Sequence, residues 1–245
     1  MAQKSLRNPV APAFLLAGMV ASHAFAGEPQ LLRPGQYHGK EVKAATGEPW
    51  LALVRGAEGR DRLAPVTLQV DTVRDELLDD QGPATGKLVS ARPGGDSIVI
   101  LVKDVQGLRA GPVTTLTTDA DIAPGDPVHL VLKGEAYSVS LACGAPKRGK
   151  DTELTPCSLV VRHRQRSQVL RTYDGYYVDG AFGAVGDDAQ PKLLWAGDLD
   201  GDHALDLLID LTDHYNVSRP TLFLSRSRRA GALLEPVAAH ESVGC

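Results

Sequence analysis

Apolar residues in this chain occur in short bursts bounded by Gly, Pro or Asp, and this spacing constrains the fold more than any other feature. Before residue 120 the bursts cover residues 50–54, 66–73, 87–91, 97–102 and 113–118. They are rich in β-branched side chains and too short for packed helices. Because the sequence has no long amphipathic helical pattern, it predicts an all-β protein built from antiparallel sheets.

Two hairpins are predicted in the middle of the chain. Residues 128–132 and 137–141 form one, and Gly134 in the connection can supply a positive φ. Residues 159–164 turn near residue 166 and return through residues 169–171.

Two other stretches lack strand periodicity. Residues 27–49 are predicted to be irregular, and the Gly- and aromatic-rich residues 173–183 are predicted to form a loop.

The largest cluster of potential metal ligands lies in residues 197–210, where an acidic loop joins two predicted strands. Four aspartates, Asp198, Asp200, Asp202 and Asp206, occupy loop positions one, three, five and nine. This spacing points several carboxylate oxygens inward, and Ala204 at position seven can add its carbonyl. Hard oxygen ligands suit Ca²⁺. The sequence therefore predicts a calcium site made by these five residues.

Three other interpretations of this loop exist. A helix–loop–helix calcium site requires a Glu at position twelve, where this chain has Ile209. A sugar-transferase Asp-x-Asp site is expected within an α/β pattern, which is missing here. A turn of aspartates without any ion is the third alternative, because Asp and Gly favour turns.

The segment from Trp195 to Ile209 resembles the FG-GAP (integrin α-type, VCBS-like) calcium repeat, whose loop reads Asp-x-Asp-Gly-Asp-Gly-x-x-Asp between two strands. The resemblance implies Ca²⁺ held by the loop aspartates within a four-stranded, blade-like unit at residues 192–239. His203 replaces the second Gly of the pattern, so we expect it to adopt a positive φ. The family builds propellers from several repeats, and this sequence contains one.

Residues 1–26 have the pattern of a secretory signal peptide. Lys4 and Arg7 precede an apolar run, and Ala24-Phe25-Ala26 forms a small-residue cleavage site. The mature protein is therefore expected to be periplasmic or secreted, with no membrane span. The net charge of −4 becomes more negative once this basic segment is removed, which argues against nucleic acid as a partner.

Export would place the three cysteines in an oxidising compartment, where disulfides form. They are Cys143, Cys157 and Cys245. Three pairings are possible. We favour Cys143–Cys157, which would close a Pro-, Gly- and Lys-rich loop between two predicted strands. Cys245 would then remain as a free thiol or an intermolecular bridge.

A composition change at residues 144–150 suggests a β-rich N-terminal region, 27–142, and a β-rich C-terminal region, 143–245, which can also form one continuous domain. The features together predict an exported calcium-binding β-protein, a non-enzymatic binding or scaffold protein of the cell envelope. Its partner would be an unknown protein or glycan. The alternative is a metal-assisted hydrolase of an envelope polymer, with the same aspartates and His203 at its active site.

Overall fold

The computed structural model describes residues 27–94, 97–144, 155–179, 182–225 and 232–244. The predicted signal peptide, most of the loop between Cys143 and Cys157, and Cys245 lie outside these ranges. Within them, strands dominate, and the single helical element is a 3₁₀ turn at Ala57–Gly59. The predicted all-β fold with antiparallel sheets is confirmed.

Twenty strands follow one another along the described chain. In chain order they are β1 (Gln30–Leu32), β2 (Gly35–Tyr37), β3 (Pro49–Val54), β4 (Arg62–Val73), β5 (Gly86–Arg92), β6 (Ile98–Lys103), β7 (Gly111–Pro112), β8 (Thr114–Asp121), β9 (Val128–Leu132), β10 (Glu135–Cys143), β11 (Cys157–His163), β12 (Arg166–Tyr173), β13 (Tyr176–Asp179), β14 (Phe182–Val185), β15 (Lys192–Asp198), β16 (Asp206–Asp210), β17 (Val217–Ser218), β18 (Pro220–Leu224), β19 (Glu235–Ala239) and β20 (Ser242–Val243).

Three larger sheets make up most of the fold. The N-terminal sheet has the order β1-β6-β3-β4-β5-β2, with β7 paired to β4. The central sheet has the order β19-β18-β16-β15-β8, and a third sheet has the order β12-β11-β10-β9. Two small pairs, β13 with β14 and β17 with β20, complete the arrangement.

The central sheet is covered on both faces. Leu207 and Ile209 of β16 pack with residues of the third sheet, such as Val161, in one hydrophobic cluster. Leu208, which points the opposite way, packs with Ile100 of the N-terminal sheet in a second cluster. Side chains alternate across a strand, so β16 is buried on both sides. Leu205, Leu207, Ile209 and Leu211 share one cluster, as their alternation predicts.

The central sheet also extends the predicted four-stranded unit. Strands β15, β16, β18 and β19 pair in succession, and β8 adds a fifth strand beside β15. At this junction a Cβ on Gly197 would lie 1.9 Å from the carbonyl oxygen of Thr114, so only glycine fits there. The blade-like character of the unit stays a prediction.

The first predicted hairpin is confirmed, with Lys133 (φ 49°) and Gly134 (φ 83°) in its turn. Positive φ at both central residues is typical of the tight turns that match strand twist. The second hairpin is also present, but its turn falls before β12, at Arg164, rather than near residue 166.

Two predictions of irregular structure were wrong. Residues 27–49 contain β1 and β2, which pair with β6 and β5. The predicted loop at residues 173–183 contains the hairpin of β13 and β14. In both places the strands have only three or four residues, too few to show periodicity. β1 and β2 find distant partners, whereas β13 and β14 pair with each other.

The Cys143–Cys157 disulfide is present, as predicted. It joins paired positions at the ends of β10 and β11. This third sheet therefore contains strands from both sides of residue 143, and so does the central sheet through β8. No helix in the described ranges is long and apolar enough to cross a membrane.

Candidate metal centre

The acidic loop is fixed at both ends by inner strands of the central sheet. Asp198 is the last residue of β15 and Asp206 is the first residue of β16. Their exposed fractions are 4% and 0%. Because both strands are paired on both edges, the two carboxylates are held in the protein interior by the sheet itself.

Three of the predicted ligands converge. Carboxylate oxygens of Asp198, Asp200 and Asp206 all lie within 4.8 Å of one another. Two oxygens bound to the same Ca²⁺ at 2.3–2.6 Å can be at most about 5 Å apart. The spacing of the three carboxylates is therefore compatible with a single shared Ca²⁺.

Asp206 has the most unusual electrostatic environment. Its two oxygens accept hydrogen bonds from the backbone N–H groups of Leu199 (2.7 Å) and Ser225 (2.9 Å). The pKa of Asp206 is nevertheless raised to about 7, mainly by burial and partly by the nearby charges of Asp200 and Asp202, against the opposing effect of the two N–H donors. A negative charge at this position is costly unless a cation shares the site.

Asp198 organises the turn of the loop. Its oxygens accept hydrogen bonds from the N–H groups of Gly201 (2.8 Å) and His203 (3.1 Å). Both donors have positive φ, 80° for Gly201 and 73° for His203. The predicted left-handed backbone at His203 is confirmed, and it lets the chain curl around the Asp198 carboxylate.

Asp202 and Ala204 are the two remaining predicted ligands, and the carboxylate of Asp202 is not part of this convergence. Asp202 is exposed, and its carboxylate accepts hydrogen bonds from the Ser225 hydroxyl (3.0 Å) and the Ala204 N–H (2.8 Å). Ala204 is half-buried beside Leu205. Their role as ligands stays a prediction.

The side chain of His203 lies at the rim of the loop, with 66% of it exposed. Its Nδ1 is 2.5 Å from the Lys133 Nζ and 3.4 Å from an Asp198 oxygen. Lys133 belongs to the β9–β10 hairpin, so the third sheet places a cation next to the acidic loop.

Sequence reasoning missed Lys133 and Ser225. Ser225 bonds to Asp206 through its N–H and to Asp202 through its hydroxyl, although it is 19 and 23 residues away. The spacing of residues within the loop cannot predict contacts over such sequence distances. The predicted four-stranded unit implies that β16 pairs with β18, but the register that places Ser225 beside the loop cannot be derived from the sequence pattern.

Three arginines of the third sheet and its β11–β12 turn, Arg162, Arg164 and Arg171, have partners within the fold. Arg164 pairs with Glu135, and side-chain hydrogen bonds from Arg164 and His163 lower the pKa of the glutamate to about 2. Arg171 pairs with Asp213. Arg162 donates a hydrogen bond to the Ser140 hydroxyl. Arg226, Arg228 and Arg229 lie outside the described residues.

No protein-family model matches the sequence, and no curated protein or solved structure proved similar to it.

Proposed function

We propose that this is an exported, non-enzymatic calcium-binding β-protein in which Ca²⁺ at the acidic loop stabilises a binding or scaffold surface. The observation that carries the proposal is the convergence of the Asp198, Asp200 and Asp206 carboxylates, whose oxygens lie within 4.8 Å of one another. The resemblance of the same loop to the FG-GAP calcium repeat supports Ca²⁺ as the bound ion over other cations.

The chemistry of the donors fits a hard cation. All three converging groups are carboxylates, and Ca²⁺ takes six to eight oxygen ligands in flexible geometry. Two of the three are buried, where like charges repel strongly and few water molecules screen them. A divalent cation replaces that repulsion with attraction.

The place of the loop in the fold suggests what the ion does. The loop joins β15 to β16, and Ser225, just after β18, bonds to two of its aspartates. Ca²⁺ bound there would fasten three strands of the central sheet at one end. At a free Ca²⁺ concentration of about 100 times Kd, the stabilisation is about 2.7 kcal/mol.

Thermal unfolding with and without chelator tests the proposal. For a chain of this size 1 kcal/mol corresponds to about 2–4 °C, so saturating Ca²⁺ is expected to raise Tm by roughly 5–11 °C over the protein in EDTA. Mg²⁺ at the same concentration is expected to give a smaller rise, because it prefers a tighter octahedral shell. Asp200→Ala should lose most of the calcium effect.

Asp126→Ala is the matched control, because Asp126 is an exposed turn aspartate outside the loop. It should keep the full calcium effect. A Tm that neither chelation nor Asp200→Ala changes would overturn the calcium proposal. Turnover of ester, phosphate or glycan substrates with Mg²⁺, Mn²⁺ or Zn²⁺ would instead favour the metal-assisted hydrolase.

A further inference from the structure

A cavity of about 210 Å³ lies beside the acidic loop, between that loop and the third sheet. Its lining includes Val161 and His163 of β11 and, from the end of the acidic loop, Ala204 and Leu205. Pockets for drug-sized ligands have volumes of roughly 300–1,000 Å³. This cavity is smaller, so it suits a compact group such as one ring with a short substituent.

The apolar wall of the cavity is held in place by hydrogen bonds to β12. The Gln168 Oε1 accepts from the N–H groups of Leu233 (2.6 Å) and Leu234 (2.9 Å), and its Nε2 donates to the Leu234 carbonyl (2.7 Å). Arg166 donates to the Ala232 carbonyl at 2.8 Å. The wall is therefore formed before any ligand arrives, which lowers the ordering cost of binding.

The polar groups of the cavity favour an anion. None of the described residues that line it is acidic, and Arg166 places a guanidinium in its lining. The His163 ring stacks on Tyr137 with ring centroids 4.2 Å apart, and its Nε2 lies 2.9 Å from a Glu135 oxygen. These contacts fix the imidazole, and the Arg166 guanidinium offers paired donors that match an anionic group.

We propose that this cavity binds a small organic anion, with its ring or branched alkyl body against Leu205, Leu233 and Leu234 and its anionic group near Arg166. This inference rests on the proposed role as a binding protein and names the class of ligand. The cavity and its donors are present whether or not the loop holds Ca²⁺.

The cavity shares residues with the acidic loop. Ser225 lines the cavity and bonds to Asp206 and Asp202, and Ala204 lines it and donates to Asp202. The loop carboxylates repel an anion in the cavity, and Ca²⁺ would neutralise part of that charge. Calcium should therefore strengthen anion binding, and by linkage the anion should strengthen calcium binding by the same factor.

Ligand titrations followed by protein NMR test the site with four probes. Phenylacetate and phenyl phosphate carry an anion on one ring, 2-phenylethanol is neutral, and 2-phenylethylamine is a cation. We expect the two anions to bind in the millimolar range and to shift resonances of Leu205, Leu233 and Leu234. The alcohol should bind more weakly, and the amine should not bind. Equal binding of all four, or shifts confined to other surfaces, would overturn the proposal.

Substitutions in the cavity test where phenylacetate binds. Arg166→Gln should weaken phenylacetate at least fivefold, and Ala232→Phe, which fills the cavity from its half-buried rim, should abolish binding. Arg162→Gln is the matched control, because Arg162 is on the same sheet but does not line the cavity. A loss that is equal in Arg162→Gln and Arg166→Gln would contradict a site at Arg166.

A second set of titrations separates this proposal from the calcium proposal. Phenylacetate affinity is measured in EDTA and in saturating Ca²⁺, and we expect it to rise two- to tenfold with Ca²⁺. Phenylacetate binding in a protein that binds no calcium would overturn the calcium site and support the anion site. Calcium binding without phenylacetate binding would overturn the anion site and support the calcium site. N-Acetylglycylphenylalanine, compared with phenylacetate, shows whether a peptide terminus or a free small anion fits better.

Discussion

Replacing Asp200 by Asn should change the stability of this protein in opposite senses with and without calcium. Two full charges 4.8 Å apart repel by about 3 kcal/mol at an effective dielectric constant of 20. Asp200 is partly exposed, so solvent reduces this to about 1 kcal/mol. Its Oδ1, which accepts the Asp202 N–H at 3.1 Å, is kept by Asn. Without metal, the variant should therefore be more stable than the wild type by about 1 kcal/mol.

Calcium should reverse much of that gain. Loss of one carboxylate ligand is expected to weaken Ca²⁺ at least tenfold, which is about 1.4 kcal/mol. At a concentration that stabilises the wild type by about 2.7 kcal/mol, the variant should gain at most about 1.4 kcal/mol. The increment due to calcium, rather than either absolute stability, is the quantity to compare.

Urea unfolding followed by tryptophan fluorescence measures both the metal-free stability and the increment due to calcium, because Trp50 and Trp195 are both buried. Asp126→Asn, which removes the same charge from an exposed turn, should change neither the metal-free stability nor the calcium increment by more than about 0.5 kcal/mol. If Asp200→Asn destabilises the metal-free protein, or keeps the full calcium increment, then the three carboxylates do not share an ion.

Three further outcomes test the fold around this site. Replacing both disulfide cysteines by Ser should lower the free energy of unfolding by about 3 kcal/mol, the value for a closed loop of about 15 residues, in denaturant titrations. Thr115→Val should cost about 2–4 kcal/mol, because the Thr115 hydroxyl accepts the Trp195 Nε1–H at 2.9 Å and donates to a buried carboxylate at 2.6 Å. His38 hydrogen-bonds Asp75, which raises the pKa of the imidazole above 6.5. This contribution is complete below pH 6.5 and is lost as the pH rises through the folded-state pKa. His38→Asn should therefore reduce the pH dependence in that window and leave the part due to Asp206, whose pKa of about 7 falls in the same range.

The parts of the fold that the sequence predicted are those with local signals. Strands β3, β4 and β9 contain apolar, β-branched bursts bounded by turn residues, and this pattern can be recognised in the sequence. Gly134 marks the β9–β10 turn, and the Asp-Gly spacing marks the acidic loop together with the positive φ of His203.

Several parts that escaped prediction depend on distant partners, although the missed β13–β14 hairpin is local. Strand β1 has three residues and exists because it pairs with β6, about seventy residues later in the chain. The central sheet has a fifth strand because β8 pairs with β15. All four strands of the third sheet lie between β8 and β15 in the chain. Asp202 was predicted to be equivalent to the other aspartates, but Ser225, which holds its carboxylate, comes from another strand end.

Calorimetric titration of metal-free protein with Ca²⁺ tests the central claim most directly. We predict one Ca²⁺ per chain in the wild type, the same in Asp126→Asn, and an affinity at least tenfold lower in Asp200→Asn. No heat of binding in the wild type, or equal affinity in all three proteins, would contradict a calcium site at Asp198, Asp200 and Asp206.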